Sequence, residues 1–304
     1  MARHGASEVV RTPDPESARR GVEPERNRAP APPARFEPER FEMVEDEVPR
    51  TRQGPRRPGR GRPDGGTVAG RARGAERGRW ARAEDSELPA DLAAELASAA
   101  GPDWSQLRRR ISERMVAALG AFERERYRDA ARMLRTVVDA VPSAPSPREL
   151  LGLSQYHQGQ WRAARTSLET FAELSGSVDQ HPVLMDCDRA LGRPRRVRER
   201  YEELRQASPD PEVLSEARLV LAGTLADRGD LAGAIDFLVE SGAGRNVRNP
   251  APRHVRQWYV LGDLAERSGD LARARDLFSR VAAEDPDAYD VGERLAQLGT
   301  KPSR

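Results

Sequence analysis

The chain is poor in the groups that usually carry chemistry. It has one cysteine, Cys187, and one lysine, Lys301, in 304 residues, and aromatics make up 5% of it. A single cysteine excludes an intramolecular disulfide and any cysteine-based metal cluster. The four histidines, His4, His157, His181 and His254, are dispersed, and none stands at HExxH or zinc-finger spacing. Long apolar runs are missing too. MVAALGAF at 115–122 is among the longest, far below the ~20 residues that span a bilayer. The N-terminus, MARHGASEVVRTPDPE, has no apolar run behind its charges, which predicts no secretory signal. A cytoplasmic protein with no membrane partner is expected. No segment alternates with period two for long enough to suggest a strand, so no glycine loop can cradle a phosphate between strand and helix.

Catalysis has no visible constellation. His181 and Cys187 could suggest a thiol–imidazole pair, but Asp186 and Asp188 flank the cysteine and their charge disfavours a thiolate. Cys187 reads instead as a small apolar residue on a packing face. The carboxylates are too evenly spread to nominate an acid–base pair. No catalytic, cofactor-binding or metal residue is expected, and no cofactor or small-molecule substrate.

What the chain has in quantity is arginine, unevenly placed. Residues 51–82 hold ten arginines against two acids, between two mildly acidic regions. Residues 1–85 are rich in Pro, Arg, Gly and Glu and have few large apolar groups. Such a segment cannot bury enough surface to offset about 1–2 kcal/mol of backbone entropy per residue, so a disordered tail is predicted. The Arg-Gly stretches of this tail suggest phosphate contact with low sequence preference, through Arg56, Arg57, Arg60, Arg62, Arg71 and Arg73.

From about residue 86 the pattern becomes helical. Leu88, Leu92 and Leu96 lie at i, i+4 spacing, with Pro89 near the helix start and Gly101-Pro102 at its end. Trp104, Leu107, Ile111 and Met115 continue an apolar stripe. Residues 86–110 are read as N-terminal capping helices.

Internal periodicity then decides the architecture. One register position falls on Ala130, Ala164, Val197, Ala234 and Ala274, at separations of 34, 33, 37 and 40 residues. Large apolar or aromatic residues follow four positions later: Leu134, Leu168, Tyr201, Leu238 and Phe278. Glycine precedes the position by five in four copies, at Gly159, Gly192, Gly229 and Gly269, and twelve residues before it come Ala118, Gly152, Met185, Ala222 and Gly262. Each unit is therefore a helix, a glycine-containing turn and a second helix. A mid-helix glycine costs about 1 kcal/mol against alanine, so Gly262 requires a close approach of two backbones at its crossing with Ala274.

The pattern resembles the tetratricopeptide repeat over 111–288, as about five helix pairs. The resemblance is strongest in the fifth copy, where Trp258, Leu261, Gly262, Ala274, Phe278 and Pro286 are all in place. The third copy departs, with Met185 and Val197 at the small-residue positions and Pro194 opening its second helix. The fourth lacks the terminal proline and is followed by the link SGAGRNVRNPAPRH, so irregular geometry is expected around 240–256. Residues 289–304 are read as a C-terminal capping helix and tail. The arrangement is also similar to uncharacterised actinobacterial repeat proteins. The resemblance implies an all-α, α-α superhelix that works as a non-enzymatic scaffold for an unidentified protein partner.

In this family the first helix of each pair lines a concave surface. By register the lining residues would be Met115, Leu119, Phe122, Leu153 and Tyr156 in the first two units, an apolar groove for a partner helix or peptide. Packing of the segment 88–110 over these residues is the competing expectation. In the later units the lining would be charged: Asp186, Arg189, Asp227, Tyr259, Asp263, Glu266 and Arg267. No asparagine stands where some members clamp a C-terminal carboxylate. An adaptor that holds RNA through the arginine-rich arm is the alternative function.

Overall fold

A computed structural model describes residues 88–299, and within them every regular element is helical. Helix α1, Ala90–Ala100, is followed by a single 3-10 turn, Gly101–Asp103, and then by α2, Trp104–Glu123. Five antiparallel pairs follow from there. They are α2 with α3 (Tyr127–Ala140), α4 (Pro145–His157) with α5 (Trp161–Ser175), and α6 (His181–Ala190) with α7 (Pro194–Gln206). Then come α8 (Pro211–Asp227) with α9 (Leu231–Glu240), and α10 (Pro252–Ser268) with α11 (Leu271–Glu284). A last helix, α12, Val291–Gly299, packs on α11. Each helix touches its partner, and each second helix touches the first helix of the next pair, which is the nearest-neighbour logic of a solenoid.

The boundaries follow from the local sequence. Gly159, Gly192, Gly229 and Gly269 all sit in the left-handed region, with φ of 70, 70, 88 and 89°. That conformation turns the chain at the end of each first helix, and glycine adopts it without a steric penalty. The first unit has no glycine there, and Glu125 takes the position at φ 57°. Proline opens α4, α7, α8 and α10, where its missing N–H costs no hydrogen bond. Asp230 and Asp270 cap α9 and α11 by accepting from the N–H groups of Gly233 and Arg273.

The core is a continuous column between the pairs. Ala130, Ala164, Val197, Ala234 and Ala274 are all fully buried, and so are Leu134, Leu168, Leu238 and Phe278. The close approach inferred from the helical glycines is present. A β-carbon on Gly262 would lie 2.8 Å from Cε1 of Phe278, and one on Gly152 would lie 2.6 Å from Cγ of Leu168. The third unit closes around larger groups, with Met185 and Val197 both fully buried. The long link before α10 is pinned rather than loose. The Trp258 indole N–H donates to the Arg245 carbonyl at 3.0 Å, Arg280 donates to the Gly244 carbonyl at 3.1 Å, and Ala243 is buried. Helix α8 packs directly on α10 across this link, so the stack continues through it.

Candidate protein-interaction surface

The five apolar residues expected to line an open groove are brought together, but inside the fold. Met115, Leu119 and Leu153 are fully buried, and Phe122 and Tyr156 keep 6% and 2% of their surface. They are packing residues rather than exposed lining. Helix α1 closes the N-terminal end of the stack. It packs on α2, buries Leu92 and Leu96, and reaches α4, where the Glu95 carboxylate accepts from the Ser146 N–H at 2.8 Å and from the Ser146 hydroxyl at 2.6 Å. The arginines Arg56, Arg57, Arg60, Arg62, Arg71 and Arg73 lie outside the described residues.

The polar register positions form a ladder from one first helix to the next. The Tyr156 hydroxyl donates to Asp186 at 2.5 Å, and burial together with the Asp186 charge pushes that phenol well above its usual range. Arg189 donates to Asp186 at 3.2 Å and to Asp227 of the following unit at 2.6 Å. Gly223 makes room for it, since a β-carbon there would meet the Arg189 guanidinium at 3.2 Å. Between α8 and α10 the rungs are Arg253 to Glu212 at 2.7 Å, Arg256 to Glu216 at 3.1 Å and the Gln257 amide to the Ser215 hydroxyl at 2.9 Å. At the C-terminal end the Tyr259 hydroxyl donates to Asp290 at 2.5 Å. Arg294 of α12 donates to Asp263, Glu266 and Asp290 and lies over the Phe278 ring. The expected charged end of the inner face is thus largely paired with the chain itself. Asp227 and Arg267 keep about half of their side-chain surface, at 51% and 45%.

Two polar pairs lie deeper still. Ser167 donates to Gln155 at 2.8 Å, and Arg200 donates to Asp188 at 2.7 Å. Asp188 is fully buried, with Arg165 also donating at 3.4 Å, while Arg200 reaches on to Glu169. A buried carboxylate is tolerated only with such partners. Sequence reading passed over both pairs, although each spans twelve residues, the same spacing as the small-residue pair at the helix crossing. Cys187 is buried beside them, and burial with the charges of Asp186 and Asp188 holds its thiol protonated. His181 is pushed the other way, toward the neutral ring, by burial and then by Arg200.

A family model agrees with this architecture over part of the chain. The tetratricopeptide repeat family model matches residues 115–177 and 240–289. A solved structure, a thermophilic tetratricopeptide-repeat protein of Thermus thermophilus, superposes with a TM-score of 0.47 at 16% identity, covering 61% of this chain and 96% of that one. No curated protein matches. The fold is that of an interaction scaffold, an all-α stack of helix pairs. The chain carries tetratricopeptide repeats over residues 115–177 and 240–289. Among the described residues no helix is long and apolar enough to cross a membrane.

Proposed function

We propose that the chain is a non-enzymatic adaptor that holds a helix or extended peptide of a partner protein on the inner face of its third to fifth units. The observation that carries this reading is the row of first-helix positions from Arg189 to Arg267. Its side chains already reach from one unit to the next, and Asp227 and Arg267 still offer charge to solvent. A partner segment with alternating charges would pair with them and lie along the stack, in the helix-in-groove manner. The apolar residues of the first two units are buried and are not part of this surface. The test is partner capture from native lysate with the full chain and with Asp227→Arg/Arg267→Glu. Both positions are exposed enough to change without unfolding the repeats. Loss of the captured protein with an unchanged circular dichroism melt supports the inner face as the docking surface. Retention of the same protein by the double variant removes it.

A further inference from the structure

The turns that join the two helices of the first and second units lie side by side, and repetition of the unit continues this edge to the third. Contacts at the first two turns define it. Tyr127 stacks on His157 with ring centroids 4.3 Å apart, and the Gln158 amide donates to the Tyr127 carbonyl at 3.1 Å. Trp161 packs edge-on against Tyr156, 5.3 Å away. Tyr127, His157 and Trp161 are each partly exposed.

The charge on this edge is one-sided over the first three units. Arg126, Arg128, Arg162, Arg193, Arg195 and Arg196 stand there against Glu125, Asp129 and Glu199. The side chains of Arg126, Arg193 and Arg196 are 62%, 41% and 47% exposed, and Arg128, Arg162 and Arg195 are exposed as well. Asp129 is already shared between Arg126 and Arg132, and Glu199 is held by Arg196. The second helices begin differently in the two halves of the stack. Aspartate caps α9 and α11, whereas Arg126, Gln160 and Arg193 occupy the cap positions of α3, α5 and α7 and make no side-chain cap. Cations at a helix start oppose the helix dipole, which favours anions there. An anion spread along the edge would relieve that conflict at three successive helices.

We propose that this edge of the first three units binds single-stranded nucleic acid. The exposed arginines take the phosphates, and the partly exposed rings of Tyr127, His157 and Trp161 take bases by stacking. Aromatic rings between the cations favour this ligand over an acidic protein segment, which has no flat group to stack. The site is separate from the inner face and independent of the arm at 51–82.

The test uses the full chain and a short labelled oligouridylate, with binding followed by fluorescence anisotropy at several salt concentrations. The arm is present in every protein compared, so a difference between them reports on the edge. R128E/R162E/R195E/R196E is expected to bind at least about tenfold more weakly. Its salt dependence should be shallower by about 0.7 in log–log slope for each phosphate no longer neutralised. Should the reversal disturb the fold by circular dichroism, the R128Q/R162Q/R195Q/R196Q variant replaces it with the same expectation. Tyr127→Ala should weaken binding several-fold and leave the salt slope unchanged, the signature of a missing stack. Three results overturn the proposal. One is no binding by the unaltered chain. Another is unchanged affinity and slope in the arginine variants. The third is a polyglutamate competitor that displaces the RNA while Tyr127→Ala has no effect, which would make the edge a site for acidic proteins.

Discussion

Replacing Gly152 by alanine places two opposing effects at one atom. In an isolated helix the change is favourable by about 1 kcal/mol. Here the new β-carbon would sit 2.6 Å from Cγ and 2.7 Å from Cδ2 of Leu168, and 3.2 Å from Cβ of Ser167. Leu168 is fully buried and cannot swing into solvent, and Ser167 is held by its bond to Gln155 at 2.8 Å. Overpacking costs about 1–3 kcal/mol, and two contacts inside 3 Å put this site at about 2–3 kcal/mol, so the clash outweighs the propensity. The net loss should be about 1–2 kcal/mol, or a fall in Tm of roughly 2–8 °C for a folded region of this size. Thermal unfolding followed by circular dichroism measures it, and hydrogen exchange should place the loosening in α4 and α5, because contacts in the stack are local. A second background makes the logic sharper. Leu168→Ala alone should cost about 2–5 kcal/mol. In that background the two contacts inside 3 Å are gone and only the milder one with Cβ of Ser167 remains, so Gly152→Ala should become stabilising, an inversion of sign. A Gly152→Ala single variant as stable as the parent, or no inversion in the double variant, would refute the claim that the missing β-carbon sets the distance between these helices.

Other substitutions test separate features. Asp188→Ala leaves Arg200 buried without its main partner and should cost about 3–5 kcal/mol in urea unfolding. Glu125→Gly removes the penalty of a non-glycine residue at φ 57° and should stabilise by about 1 kcal/mol. Asp270→Ala removes the cap on α11 and should cost about 1 kcal/mol, with faster amide exchange in its first turn. His181 has its folded pKa lowered, so the unfolded chain binds the proton more readily. Its contribution is complete above about pH 6.5 and is lost as pH falls below that. His181→Leu should therefore show a flatter decline in stability across this window.

The architecture was readable because its requirements recur. Four of the five helix crossings place small residues together with a large one four positions on, and the period shows in Ala130, Ala164, Val197, Ala234 and Ala274. The turn glycines add a second, independent mark, since left-handed backbone at four equivalent places has one inexpensive residue. Exposure was not readable in the same way. The register put Met115, Leu119 and Leu153 at groove-lining positions, but register alone does not say which of those positions the fold closes over. The irregularity expected around 240–256 came from an unusual link length. Periodicity carries no information about carbonyls such as those of Gly244 and Arg245, which anchor the link to Arg280 and Trp258. The buried Asp188–Arg200 pair was hidden for a simpler reason. Charged residues are common on these helices, and only the twelve-residue spacing distinguishes this pair from its neighbours.

That spacing has a consequence for how a chain of similar units finds its order. At the position held by Gln155–Ser167 and Asp188–Arg200 in the second and third units, the first, fourth and fifth place Ala121 with Met133, Leu225 with Phe237, and Ala265 with Leu277. A helix carrying Asp188 that docked against the wrong partner would bury a carboxylate facing methionine, phenylalanine or leucine. Such a mispaired stack would lose several kcal/mol at a single point. Two polar rungs in an otherwise apolar column therefore act as an address, telling the first helices of the second and third units which second helix is their own.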